Sequence, residues 1–176
     1  MRTLRVLGVV LLSSLCVVNV ALADPPLAKN FVAHLDGGQE VPPVATHATG
    51  EAIFHLDSAG TTLSYKLIVA NIENVVAAHI HLGVAGVNGP VVAFLFGPAL
   101  PGGGRTDGIL AQGTVTAANL VGPLAGMSLS VLVAAMRDGS TYANVHTNDG
   151  VPPVNTGPGD FPGGEIRGQI TPAGKH

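Results

Sequence analysis

From Phe31 onward apolar side chains alternate with polar ones, segment after segment, and Gly, Pro, Asn and Asp stand between the segments. A period of two is the side-chain spacing of a β-strand, so the pattern restricts the chain to sheets with one face turned to a core. Phe31, Ala33 and Leu35 share one face of a first strand; Ala52, Phe54 and Leu56 share one face of a second, with Glu51, His55 and Asp57 opposite. Ser58-Ala59-Gly60 reads as a hairpin turn, after which Leu63, Tyr65, Leu67 and Val69 resume the alternation. Further strands are predicted over 75–82, 91–96, 109–115, 141–147 and 165–171. The run 91–96 is apolar on both faces and is expected at the centre of a sheet. One segment departs from the period: Leu129, Leu132, Val133 and Met136 fall at helical spacing between a capping Ser128 and a terminating Gly139. The expected fold is an all-β, antiparallel Greek-key β-sandwich of about seven to nine strands with one short helix within 128–137.

The first residues differ in kind. Arg2 and Arg5 precede an apolar run from Val6 to Val20, shorter than the ~20 residues of a membrane span, and Ala21-Leu22-Ala23 offers a small-residue cleavage site before Asp24. The expectation is a signal peptide over 1–23, a linker over 24–30, one domain over 31–171 and a tail over 172–176. The product would be secreted or periplasmic, without a transmembrane segment after cleavage. Cys16 is the single cysteine and leaves with the signal, so no disulfide is expected. Removing 1–23 takes two of the eight basic residues and none of the eleven acidic ones, which leaves a net charge of −5. The remaining cations Lys29, Lys66, Arg105, Arg137, Arg167 and Lys175 are scattered, which excludes nucleic acid as a partner. Gly102-Gly103-Gly104-Arg105 lacks the Lys-Ser/Thr of a phosphate-binding loop and reads as a flexible connection. Neither a Gly-x-Ser-x-Gly elbow nor a cysteine after 1–23 points to nucleophilic catalysis, so the sequence leans away from an enzyme.

The histidines carry the chemistry. In a strand over 75–82, His79 and His81 project from one face while Ala78, Ile80 and Leu82 project from the other, which the core takes. Over 141–147, Ala143 and Val145 alternate with Tyr142, Asn144 and His146, so His146 also points away from the core. Where two such strands are neighbours, about 5 Å apart, three imidazoles meet on one exposed patch. Three nitrogen ligands suit copper or zinc with an open coordination position, so His79, His81 and His146 are the candidate metal ligands. The competing reading is ordinary surface or loop-fixing histidines, the status assigned to His34, His47 and His55, with His176 at the terminus. Protons should compete with metal near the ordinary imidazole value of about 6.5. Glu165 and Arg167 share a face of the last strand and read as an ion pair fixing the sheet edge or the loop 148–164. Val41-Pro42-Pro43-Val44 recurs as Val151-Pro152-Pro153-Val154, and both copies are expected in loops or along an edge.

Four stretches together resemble the CHRD (chordin-type) domain family over about 31–170. They are Gln39-Glu40-Val41-Pro42-Pro43-Val44; Ala78-His79-Ile80-His81-Leu82-Gly83 with Gly89-Pro90-Val91-Val92; Tyr142-Ala143-Asn144-Val145-His146-Thr147; and Gly163-Gly164-Glu165-Ile166-Arg167-Gly168-Gln169-Ile170. The resemblance implies an extracellular β-sandwich and adds little chemistry; the first reading of function is a cell-envelope or extracellular binding or structural module toward a protein or glycan partner, and the alternative is a copper- or zinc-binding protein. The stretch between Thr147 and Gly163 is longer than the family pattern. The chain is also, more faintly, similar to the copper-zinc superoxide dismutases, in which His79, His81, His146 and Arg167 would take the similar places. A His-rich zinc loop after His81 and a cysteine pair are missing, so this likeness does not imply dismutase activity.

Overall fold

The computed structural model describes residues 27–174; the signal-like segment 1–23, Cys16 and His176 lie outside the described residues. In chain order the elements are β1 (Asn30–Asp36), β2 (Thr49–Leu56), β3 (Leu63–Glu73), β4 (Val75–Leu82), β5 (Val91–Phe96), β6 (Arg105–Val115), α1 (Leu129–Asp138), β7 (Thr141–Thr147), β8 (Ile166–Gln169) and β9 (Thr171–Pro172). Every pairing is antiparallel. The all-β, antiparallel expectation with one α-helix therefore describes these residues.

The strands form one hydrogen-bonded sheet in the order β5-β4-β7-β8-β1-β2-β3-β6, with β9 beside β1, rather than two separate sheets. The sheet rolls until its two edge strands, β5 and β6, come into contact, so it is nearly closed like a barrel. Tyr65 of β3 helps to close the seam: its hydroxyl donates to the Leu95 carbonyl of β5 at 2.7 Å. The ring lies against Gly113 of β6, where an added Cβ would sit 3.1 Å from it. The apolar run 91–96 is thus an edge strand, not a central one. Val92, Ala93 and Leu95 are buried, and the outward Phe94 packs edge-to-face on His79 with ring centroids 4.8 Å apart.

The inward face follows the period-two reading. Phe31, Ala33, Leu35, Ala52, Phe54, Leu63, Leu67, Ile80, Val92 and Val145 form one buried cluster, and Leu82 packs partly buried against it. Helix α1 adds Leu129, Leu132, Val133 and Met136 to the same core. It ends at Gly139, whose left-handed backbone (φ 78°) lets its N–H reach the Ala135 carbonyl. Ser128 occupies the N-cap position, but its hydroxyl bonds Ser130 and not the helix backbone. The last predicted strand splits into β8 and β9, with the Ile170 N–H turned to the Thr141 carbonyl between them.

The outward face of β4, β7 and β8 is covered rather than solvated. Tyr142, Asn144 and Arg167 are all buried although they point away from the apolar core. Their cover comes from the chain after β1, the β4–β5 loop and the long segment before β8. A single left-handed residue, Asn74 (φ 53°), joins β3 to β4 and ties down the segment before β8 together with the β5–β6 connection. Its side chain accepts from the Gly104 N–H at 2.9 Å and donates to the Gly159 carbonyl at 3.2 Å. The Gly102 N–H is likewise bonded to the Asn148 carbonyl, so the glycine run is a tethered connection.

Ile80 is fully buried between the cluster residues of β5 and β7. Ile80→Ala should cost about 2–5 kcal/mol in a denaturant titration; a loss below about 0.5 kcal/mol would reverse the faces assigned to β4.

Candidate metal centre

Antiparallel pairing of β4 with β7 places Ala77 opposite His146 and His79 opposite Asn144. His79 and His81 stand two apart on β4, so the three imidazoles gather on the outward face, with ring centroids 4.9 Å (His79–His146), 5.6 Å (His79–His81) and 6.0 Å (His81–His146) apart. One ligand nitrogen from each lies within 4.8 Å of the other two. The three residues singled out from the sequence are therefore brought together, in a group that could hold a metal ion. The patch is not exposed as expected: His81 is 8 % exposed and His79 and His146 are half-buried, because the loops close over this face.

Backbone carbonyls set two of the rings. His81 Nδ1 lies 2.9 Å from the Gly89 carbonyl and His146 Nδ1 lies 2.9 Å from the Pro162 carbonyl. A carbonyl only accepts, so each Nδ1 carries the proton and each Nε2 keeps its lone pair for the cluster. Supporting bonds of this kind orient the imidazoles that ligate metals. Nε2 of His81 is buried and has no hydrogen-bond partner. His79 is held differently: its Nδ1 is 3.1 Å from His146 Nε2, so in the metal-free tautomer it donates to that lone pair. Zinc held at about 2.05 Å by each of three nitrogens needs them about 3.3 Å apart. His79, the ring without a backbone anchor, is the one free to close the group.

Burial, reinforced by His146 and His81, pushes His79 down to about 4. Burial also lowers His81 and His146, against the opposing pull of the bonds to Gly89 and Pro162. All three rings are thus neutral at neutral pH, and proton competition sets in below the 6.5 that the sequence alone suggested.

The supporting residues were mostly invisible in the sequence. The expected Glu165–Arg167 ion pair does not form; the one ion pair among the described residues is Arg105–Asp107. Arg167 instead donates to the carbonyls of Val84 (3.1 Å) and Val87 (3.0 Å) and to Asn88 Oδ1 (3.1 Å), holding the β4–β5 loop that supplies Gly89. Its guanidinium lies 3.4 Å over the Tyr142 ring, which stacks on His81. Glu165, fully buried, accepts from the Thr46 hydroxyl (2.6 Å), the Thr147 hydroxyl (2.7 Å) and the Gly159 N–H (2.8 Å), so it does fix the long loop, by hydrogen bonds and not by charge pairing. Glu40 is buried over Asn144, whose amide donates to it at 2.9 Å, and desolvation raises its carboxyl to about 7 despite the nearby Arg167. Gly164 makes room for that contact: a Cβ there would lie 2.6 Å from Glu40 Oε1. His34, His47 and His55 are exposed and stand apart from the group.

The class defined by fold and site is a rolled antiparallel β-domain with a histidine triad under loops on its outer face. The model of the CHRD domain family matches residues 31–170. The chain belongs to the CHRD domain family. Neither a curated protein nor a solved structure gives a match.

Two outcomes follow from the site. His79 is held neutral to about 4 in the fold while an unfolded imidazole protonates near 6.5. The unfolded chain therefore takes up protons first, and stability should fall as pH drops from about 6.5 toward 4, a slope that His79→Gln should reduce. Glu165→Ala removes the acceptor of three donors and should cost at least about 3 kcal/mol by thermal or denaturant unfolding.

Proposed function

We propose that this CHRD-family domain is an exported metal-binding module that takes copper or zinc at His79, His81 and His146. Export rests on the basic, apolar and small-residue order of residues 1–23. The observation that carries the metal reading is the pair of rings whose Nδ1 protons are committed to backbone carbonyls, leaving Nε2 lone pairs turned into one cluster, one of them buried without a partner. A buried acceptor without a partner costs about 1–3 kcal/mol. An ion removes that cost and gives the three neutral rings a common purpose. In such a centre His81 and His146 are the prepositioned ligands and His79 the ligand that moves in, exchanging its bond to His146 for the metal.

A second reading, presentation of loops to a protein or glycan partner, is supported by a cleft of about 700 Å³. It lies between the first Val-Pro-Pro-Val segment and residues 155–164, with Glu40, Asn88 and Phe161 in its walls. The two readings are compatible, since the cleft and the histidine group share the loop that carries Pro162.

The metal reading is tested by titrating copper or zinc into wild type, His79→Ala and His146→Ala. Wild type should bind one ion per chain and gain about 2.7 kcal/mol of stability when free metal is about 100 times the dissociation constant. Each variant should lose more than the roughly 100-fold in affinity that removing a supporting partner alone costs. Variants that bind as tightly as wild type would sink the reading.

A further inference from the structure

His81 is the buried ring of the histidine group, and two different contacts fix it. The Tyr142 ring lies nearly parallel to it, with centroids 4.7 Å apart and 11° between the planes. Such a stack sets the plane of the imidazole, but a half-turn about its last side-chain bond would keep the plane and exchange Nδ1 for a ring carbon. The Gly89 carbonyl, 2.9 Å from Nδ1, opposes that half-turn and makes Nδ1 the protonated nitrogen.

That carbonyl belongs to a glycine, whose backbone is the least restrained of any residue. Its orientation is therefore imposed from outside. The Gly89 N–H donates to the Tyr142 hydroxyl at 3.1 Å, and the Leu82 N–H donates to the following Pro90 carbonyl at 2.9 Å. A side chain could not stiffen this position, because a Cβ on Gly89 would run into the Leu82 carbonyl. The Tyr142 ring thus sets the plane of His81, and its hydroxyl, through Gly89, sets which nitrogen faces the cluster.

Tyr142 is itself held firmly. It is buried, with His81 of β4 and Gln169 of β8 as its register partners. Arg167 reaches over the ring from β8, which flanks β7 on the side away from β4, with its guanidinium carbon 3.4 Å from the ring centre. Gly83 leaves room at the ring edge, where an added Cβ would stand 3.1 Å from Tyr142 Cε1. A ring clamped from two strands keeps its hydroxyl at one place, against Gly89.

Resting on the metal-binding reading above, we propose that Tyr142 is the positioning residue of the centre: it holds His81 in the orientation and tautomer that turn Nε2 to the ion. His146 is set independently, by the Pro162 carbonyl, so the effect belongs to one ligand of the three.

The test joins nitrogen NMR of the imidazoles in the metal-free protein at neutral pH with a zinc titration. Tyr142→Phe keeps the ring and removes the hydroxyl. Tyr65→Phe is the control, because it removes the hydroxyl of the other tyrosine, which is bonded to Leu95 at the sheet seam. A thermal melt checks that each variant is folded. In wild type, His81 and His146 should both be protonated at Nδ1. In Tyr142→Phe, His81 should show both tautomers while His146 keeps its Nδ1 proton, and zinc should bind at one per chain but about 10–100-fold more weakly. Tyr65→Phe should change neither measurement. An unmoved His81 tautomer or an undiminished zinc affinity in folded Tyr142→Phe overturns the proposal, as does a change that His146 or the Tyr65→Phe protein shares. His81 protonated at Nε2 in wild type overturns it without any variant. Wild type that takes up no zinc sinks the metal reading instead, and the two failures are told apart because the tautomers are read without metal.

Discussion

The register between β4 and β7 is the constraint on which the rest of this molecule depends. It is set from the inside: Ala78 and Ile80 on one strand and Ala143 and Val145 on the other are all buried in the same core. A slip of one residue would turn these side chains outward and drive His79, His81 and Asn144 into apolar surroundings, so the hydrophobic face pins the pairing. The imidazoles on the other face inherit that precision. Their grouping is a by-product of core packing, which is why strands rather than flexible loops carry the candidate ligands.

The outer face then acquires a polar interior of its own. Loops that would otherwise be solvated are drawn onto β4, β7 and β8 by two buried charged residues that do not pair with each other. Arg167 reaches the β4–β5 loop through two carbonyls and Asn88, and Glu165 reaches the 148–164 segment through the Gly159 N–H and Thr46 through its hydroxyl, with the Thr147 hydroxyl of β7 as a third donor. Each satisfies its charge on the loop it holds. Those loops contribute the Gly89 and Pro162 carbonyls that lock His81 and His146. Loop closure, ring tautomer and desolvation of the imidazoles are one linked arrangement, and weakening either anchor should loosen the centre as well as the fold.

Near-closure of the sheet serves the same end from the other side. With β5 and β6 in contact and Tyr65 bonded across the seam, the strand next to the histidines is kept from acting as an open edge. Phe94, outward on β5, is free to stand against His79 because the rest of its strand is committed to the core.

Period-two alternation, the helical spacing of Leu129, Leu132, Val133 and Met136, and the parity of His79, His81 and His146 are local properties that can be read directly from the order of residues. Strand type, helix α1, the inward faces and the direction of the three histidines follow from nearest-neighbour geometry along the chain. Everything that depends on which segments meet is settled by the packed fold instead. The apolar run 91–96 reads as central because both its faces are apolar, yet it lies at an edge, its outward aromatic ring exposed and standing edge-to-face against a histidine from β4. Residues pointing away from the core read from the sequence as a solvent face, yet Tyr142, Asn144 and Arg167 are buried because distant loops fold over them. Glu165 and Arg167 share a strand face and looked like a pair, but each found better partners in a different loop, through backbone groups that carry no sequence signature. Alternation records which side of a strand faces the core; it holds no information about what covers the other side, and at this centre the cover does the chemistry of fixing the rings.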